Sequence, residues 1–309
     1  MLYSTLTPAA KRAAFRERLR SGELLQLPGA FNPLSARLIE TKRFDGVYVS
    51  GAVVAADLGL PDVGLTTLSE VAGRAGQIAR MTDLPTLVDA DTGFGEAMNV
   101  ARTVQTMEDA GVAGLHIEDQ VNPKRCGHLD GKQVVDDATA LQRIRAAVTA
   151  RRDENLLIMA RTDVRAGAGL EVAIERARAL VDAGADAVFP EALRDLDEFA
   201  AVAAALDVPV LANMTEFGKS ELFTADRLRD AGVALVIYPV SLLRLAMGAA
   251  DRALDDLRTE GSLAAQVPHM QTRAELYELL DYPAYSTFDA GVYDFSLETH
   301  HSHHRPERR

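Results

Sequence analysis

Residues 109–119 read DAGVAGLHIED, residues 182–191 DAGADAVFPE and residues 230–239 DAGVALVIYP. The three share one design. Each closes a helix, stops it with a glycine (Gly111, Gly184, Gly232) and runs through an apolar stretch of strand length, ending on a polar residue in the first two and on Tyr238–Pro239 in the third. A glycine there supplies the left-handed conformation that ends a helix. An uninterrupted apolar run suits a strand covered on both faces, as in a parallel sheet flanked by helices. Working outward, the same reading places strands at 24–30, 46–51, 84–91, 114–119, 156–163, 187–191, 209–215 and 233–239. Helical patterns at 97–110, 136–151, 170–183 and 195–206 lie between them.

Eight such units predict an α/β fold of the (β/α)₈ TIM-barrel type. A doubly wound open sheet would also gather polar groups at strand ends, but no Gly-rich dinucleotide fingerprint accompanies these strands. A barrel needs about 250 residues, and the chain has 309, so one barrel plus an appendage is expected. Residues 1–260 are read as the barrel with an N-terminal helix. A helix at 240–259 closes that unit, Gly261 breaks the chain, and residues 261–290 follow as a helical extension carrying a helix at 272–281. Residues 291–309 form a polar tail expected to be disordered. Its sequence ETHHSHHRPERR could bind a metal adventitiously.

Composition narrows the function. Hydrophobic residues make up 48% and charged residues 25%, with a net charge of −12 and a pI near 5.1. No clustered basic face is visible, which argues against nucleic acid as a partner. No run of about 18 apolar residues suggests a membrane span, and the N-terminal MLYSTLTPAAKRAAFRERLRSG lacks an apolar signal core, so a cytoplasmic protein is expected. Cys126 is the one cysteine, which excludes internal disulfides and zinc sites built from several thiolates.

The polar residues closing the strands are Ser50, Asp89, Asp91, Glu118, Arg161, Asp163, Glu191, Asn213 and Thr215. In a closed barrel they converge on one face, where active sites of this fold sit. DADTGFG at 89–95 carries two carboxylates at i and i+2, which on a regular strand point the same way. A hard divalent ion with oxygen ligands would relieve their repulsion, and Glu118 could complete the set; alternatively these acids cap helices or pair with Arg161. An acidic protein acting on an acidic substrate must concentrate cations locally, which singles out Arg161 and Arg244. Asn213, Thr215 and Ser50 add neutral donors. Tyr48 shares the face of Ser50 and either reaches the site or fills the barrel interior. The segment NPKRCGHLDGK at 122–132 reads as a lid loop. Within it Lys124, Arg125 and His128 surround Cys126, a setting that lowers a thiol's pKa.

These residues together resemble the isocitrate lyase/phosphoenolpyruvate mutase superfamily, and most closely its methylisocitrate lyase branch. KRCGH at 124–128 is the most specific element and is similar to the catalytic loop of the lyases. YVSG (48–51), GLPD (59–62), VDADTGFG (88–95), HIEDQ (116–120), MARTD (159–163), FPEA (189–192), LANMTEFG (211–218) and MQTRAELYE (270–278) fit the same pattern. The resemblance implies Mg²⁺, with Mn²⁺ as a possible substitute, bound by Asp89 and Asp91, with Asp62 and Glu118 in a water-mediated shell. It implies Cys126 as the catalytic thiol with Lys124, Gly127 and His128 as loop partners. Ser50, Gly51, Arg161, Glu191, Asn213, Thr215 and Arg244 match substrate-contacting positions. The implied reaction is C2–C3 cleavage of 2-methylisocitrate to pyruvate and succinate, in propionate catabolism through the methylcitrate cycle. Glu118 or Tyr48 would be the hydroxyl base. Isocitrate or 2,3-dimethylmalate as substrate is the alternative, and a non-catalytic binding barrel a more distant one. The branch also implies a homotetramer whose C-terminal helices are exchanged between subunits. One departure stands out: the family often shows SGGG after the second strand, whereas this chain has SGAVV with Ala52.

Overall fold

The computed structural model describes residues 4–125, 127, 131–218 and 220–294. Strands form where the apolar runs stand, each trimmed by no more than two residues at either end: β1 Leu25–Pro28, β2 Val47–Val49, β3 Thr86–Asp89, β4 Gly114–Glu118, β5 Leu157–Thr162, β6 Ala187–Pro190, β7 Leu211–Asn213 and β8 Leu235–Tyr238. All pairings are parallel. They make a five-stranded arc, β2 to β6, and a three-stranded arc in the order β1-β8-β7. Single bridges, Gly29 to Tyr48 and Val188 to Val210, join the arcs into a ring. At the first, the Ala30 N–H donates to the Tyr48 carbonyl at 2.9 Å; beside the second, the Val188 N–H donates to the Pro209 carbonyl at 3.0 Å. Gly29 is required there, because a Cβ would sit 2.0 Å from the Pro239 carbonyl oxygen.

Inward side chains fill the ring: Leu25, Leu27, Tyr48, Leu87, Leu157, Met159, Phe189, Leu211, Leu235 and Ile237 form one buried cluster. Phe15 and Leu19, from the helix Pro8–Arg20, complete it. That helix also donates from Lys11 to the Ala79 and Thr82 carbonyls and from Arg12 to those of Glu108 and Val112. These acceptors precede β3 and β4, so the helix plugs the N-terminal mouth and leaves the opposite mouth for chemistry. Helices Leu68–Ala79, Ala97–Asp109, Asp137–Ala150, Leu170–Asp182 and Leu196–Ala204 run outside the strands. Two further apolar clusters are buried between helices and strands.

After β8 the helix Ser241–Glu260 ends at Gly261 in the left-handed conformation, as expected of a C-cap. None of its residues is buried, and Leu245, Met247 and Leu254 are more than half exposed. The chain divides into two compact units at Met270/Gln271 rather than at Gly261, so a 3₁₀ turn at Ala264–His269 stays with the barrel. The second unit contains helices Arg273–Leu279 and Tyr282–Tyr293, with Tyr277 stacked on Tyr282 at 4.9 Å. The latter helix runs three residues into the segment read as tail; residues 295–309 lie outside the described residues. Among the described residues no helix is long and apolar enough to cross a membrane.

Candidate active site

The C-terminal strand ends surround a cavity of about 260 Å³ lined by Tyr48, Ser50, Asp62, Asp89, Lys124, Gly127, Arg161, Glu191, Asn213, Thr215 and Arg244, among others. Gly51, Asp91 and Glu118 stand just behind that lining, each buried. Ser50 precedes the helix Gly51–Asp57 without capping it. Ala52 also lines the cavity, within that helix and without positive φ, so the departure from a glycine-rich run demands no unusual backbone.

Asp89 ends β3, but Asp91 does not continue the strand. Its φ is +47°, and the turn that follows keeps positive φ at Gly93, Phe94 and Gly95. The two carboxylates therefore converge through a left-handed turn and not through strand alternation. The Asp91 N–H donates to Asp89 Oδ1 at 3.0 Å, and Gly51 N–H to Asp89 Oδ2 at 3.2 Å. The Gly51 donor expected to meet substrate is thus engaged by Asp89. A Cβ at Gly51 would lie 3.0 Å from Asp89 Oδ2, so a side chain there would press on that carboxylate. Lys124 sits between acids, its Nζ 2.7 Å from Asp91 Oδ1 and 2.5 Å from Asp62 Oδ1.

The paired acids titrate apart. Burial, then the charge of Asp89, pushes the Asp91 carboxyl up to about 6 against the pull of Lys124. Burial also pushes Asp89 up, but His116, Lys124 and Arg161 outweigh it and hold it at about 2. Burial lowers the His116 imidazole to about 4, so at neutral pH it is uncharged and the lysine and arginine keep Asp89 ionised. Glu118 Oε1 is buried and accepts no hydrogen bond, while Asp91 Oδ1 and Glu118 Oε2 are met by the Lys124 and Arg161 charges. Buried carboxylate oxygens in that setting fit a divalent cation. Among the described residues no three His, Cys, Asp or Glu side chains gather closely enough to enclose one. Mg²⁺ needs only one or two carboxylates, since water fills the rest of its shell.

On the other side, Arg161 is buried among three acids. Its Nε is 3.3 Å from Glu118 Oε2 and 3.0 Å from Asp163 Oδ2, and its Nη2 is 3.2 Å from Glu191 Oε2. Its guanidinium lies 5.0 Å from the Phe189 ring centre. Burial first, eased by Arg161 and Lys124, raises the Glu118 carboxyl well above its ordinary value. Tyr48 is both a core residue and a cavity residue, its hydroxyl 2.8 Å from His116 Nε2. Burial and the neighbouring carboxylates raise its phenol well above 10, so it keeps its proton at neutral pH. Of the two candidate bases, Glu118 is the one whose environment favours accepting a proton.

Arg244 reaches the cavity from the helix after β8, with Nη1 3.1 Å from Thr215 Oγ1 and 2.8 Å from Glu216 Oε2. Asn213 donates to Glu191 Oε2 at 3.5 Å. Gly127 covers the site closely: a Cβ there would stand 2.3 Å from Arg161 Nη2 and 2.6 Å from Glu191 Cδ. Cys126 and His128 lie outside the described residues. Sequence reasoning missed His116, Glu216 and Lys132. His116 was legible, because i and i+2 on β4 put it on the face of Glu118. A lysine in a charged loop carries no such signal.

The chain matches the family described as phosphoenolpyruvate phosphomutase over residues 15–258. It is 57% identical over 297 residues to a probable 2-methylisocitrate lyase of Corynebacterium glutamicum, covering 96% of this chain and 97% of that one. Among solved structures it resembles oxaloacetate acetylhydrolase in complex with 3,3-difluorooxalacetate, with a TM-score of 0.87, 36% identity and coverage of 93% and 98%. It also resembles phosphonopyruvate hydrolase in complex with oxalate and Mg²⁺, with a TM-score of 0.82, 30% identity and coverage of 92% and 99%.

Proposed function

The chain belongs to the phosphoenolpyruvate phosphomutase family, and from that membership and the cavity we propose that it is a carbon–carbon lyase cleaving 2-methylisocitrate to pyruvate and succinate. The observation that carries the reading is that one cavity of about 260 Å³ is lined by two kinds of group, the acid Asp89, with Asp91 bonded behind it, and the cations Arg161 and Arg244. The first suits a metal chelated by a hydroxy acid, the second the remaining carboxylates.

Asp89 and Asp91 would hold Mg²⁺, or Mn²⁺ in its place, with Asp62 and Glu118 in its water shell. Bound there, the ion supplies Lewis acidity toward the substrate's C2 hydroxyl and carboxylate. Glu118 takes the hydroxyl proton, and Arg161, 3.3 Å from it, faces the oxygen that becomes a ketone. The C2–C3 electron pair passes to the succinate fragment. Cys126, entering as the thiol, gives that carbanion its proton as general acid. Lys124, Gly127 and His128 shape the loop that carries the thiol. Ser50, Glu191, Asn213, Thr215 and Arg244 orient the carboxylates. Phe189 forms the wall beside the methyl group, where a bulkier Trp would crowd it.

The active assembly is a homotetramer in the cytoplasm, with C-terminal helices exchanged between subunits. The support is three successive helices, Ser241–Glu260, Arg273–Leu279 and Tyr282–Tyr293, without one buried residue. Sedimentation of the purified protein as a monomer would remove that part of the reading.

The activity test compares 2-methylisocitrate with isocitrate, in Mg²⁺ and in EDTA, quantifying pyruvate and glyoxylate separately. EDTA-sensitive pyruvate release with little glyoxylate is the expected result. Preferential glyoxylate would move the assignment to isocitrate, and silence on both would move it to dimethylmalate.

A further inference from the structure

We propose that Lys132 is a positioning residue of this site, tying the loop over the cavity to the arginine beneath it. The inference rests on the lyase reading of the cavity.

Lys132 lies on the returning arm of the loop after β4. Around it the arms are joined by Val121 N–H to the Gln133 carbonyl and Val135 N–H to the Asp119 carbonyl, both at 2.8 Å. Its side chain turns inward and is only 3% exposed. Burying an ammonium is costly unless it is paired, and a loop lysine ordinarily remains in water. Here Nζ donates to the Gly127 carbonyl and, at 2.5 Å, to Asp163 Oδ1.

Asp163 is a fixed anchor. Its side chain is wholly buried, and its N–H donates to Asp119 Oδ1 at 2.9 Å. Asp119 is itself held by Thr162 Oγ1 at 2.7 Å and Arg176 Nη1 at 2.9 Å. Asp163 also accepts both Arg161 Nε at 3.0 Å and Nη2 at 3.2 Å.

The charge balance shows what Lys132 adds. Glu118, Asp163 and Glu191 surround Arg161, and Lys132 is the second cation on Asp163. With Lys132 present, part of Asp163's charge is met, and Arg161 keeps attraction for Glu118, Glu191 and an anionic substrate. Without it, Asp163 draws the guanidinium to itself and the site gains a net negative charge facing a carboxylate ligand. The same ammonium holds the carbonyl of Gly127, a residue packed so close to Arg161 that no side chain fits between them. Lys132 therefore acts through Arg161 on substrate and through Gly127 on the neighbouring Cys126 in the chain.

The test uses Lys132→Met and Lys132→Arg in the full-length protein with Mg²⁺. With 2-methylisocitrate the Met variant is expected to lose kcat by about 100-fold or more while KM rises by less than about 10-fold, since a small misplacement of reacting groups is costly to the chemical step. The Arg variant, which keeps the charge, recovers at least about 10-fold of that loss. A readout independent of turnover is the rate of alkylation of Cys126, the chain's one cysteine, by iodoacetamide. It changes by about 5-fold or more in the Met variant and returns toward wild type in the Arg variant. A folded Met variant keeping kcat within about threefold overturns the proposal. So does a folded Arg variant that keeps the charge yet falls about 100-fold or more below wild type in kcat, a comparison with wild type that stands even where the Met protein fails to fold. Failure of the lyase reading shows separately, as wild-type protein silent on 2-methylisocitrate.

Discussion

Asp91→Asn removes a carboxylate that the metal-free fold holds at a disadvantage. Asp91 is 5% exposed, and burial with the Asp89 charge moves its carboxyl from 3.8 to about 6, net of the Lys124 contact at 2.7 Å. Each pKa unit corresponds to about 1.36 kcal/mol, so keeping Asp91 ionised costs the fold about 3 kcal/mol. The folded pKa lies above the unfolded one, so the folded state holds this proton more tightly. Stability of the metal-free protein accordingly falls as pH rises from about 4 to about 6, and the deficit is complete at pH 7. Asparagine has nearly the same shape and no charge at any of these pH values. In a chain this size about 1 kcal/mol moves Tm by roughly 2–4 °C. In EDTA at pH 7 the variant should therefore melt roughly 6–12 °C above wild type, with the gap closing near pH 4. Mg²⁺ at about a thousandfold excess over Kd reverses the order, because wild type then gains about 4.1 kcal/mol and the variant gains little. Thermal melts at pH 4, 6 and 7, with EDTA and with Mg²⁺, measure all of this. A variant no more stable than wild type at pH 7 in EDTA would refute the reasoning, since no buried charge would then be strained.

Gly127→Ala places a methyl 2.3 Å from Arg161 Nη2; steady-state kinetics should show kcat reduced by about 100-fold with an unchanged circular dichroism spectrum. Phe15→Ala empties the plug at the N-terminal mouth, and urea unfolding should register a loss of about 3–5 kcal/mol while KM stays near wild type. Cys126→Ser should abolish turnover yet retain Mg²⁺ and product binding by calorimetry; a variant keeping most of its turnover would remove the thiol from the mechanism.

The strands were legible because each is buried on both faces and therefore reads as an apolar run, and the helices because Gly111, Gly184 and Gly232, all at positive φ, mark their ends. Asp89 and Asp91 were found for an incomplete reason. Alternation holds only while a strand continues, and β3 ends at Asp89. The glycines of TGFG were the sign that the chain turns there. Arg161 was legible as a cation at a strand end, but its three acidic neighbours come from the end of β4 and from the residues just past β5 and β6. No local pattern links those positions. Lys124 shows the same limit: its place beside Asp62 and Asp91 depends on how two loops meet. The thiol and His128 were singled out by loop composition and resemblance, and remain proposals resting on both.

The ring of strands is held at two places by single bridges, Gly29 to Tyr48 and Val188 to Val210. The five-stranded arc carries Arg161 and Glu191, while the three-stranded arc leads to Asn213, Thr215 and, just beyond β8, Arg244. A molecule that touches Arg161 and Arg244 together spans the gap between the arcs as a clasp spans a hinge. Its binding energy then enters the equilibrium for keeping the wall shut, since whatever binds only the closed form stabilises it. Substrate in this barrel is in that sense a temporary structural member, present while chemistry proceeds and released with the two fragments, neither of which need reach both arcs.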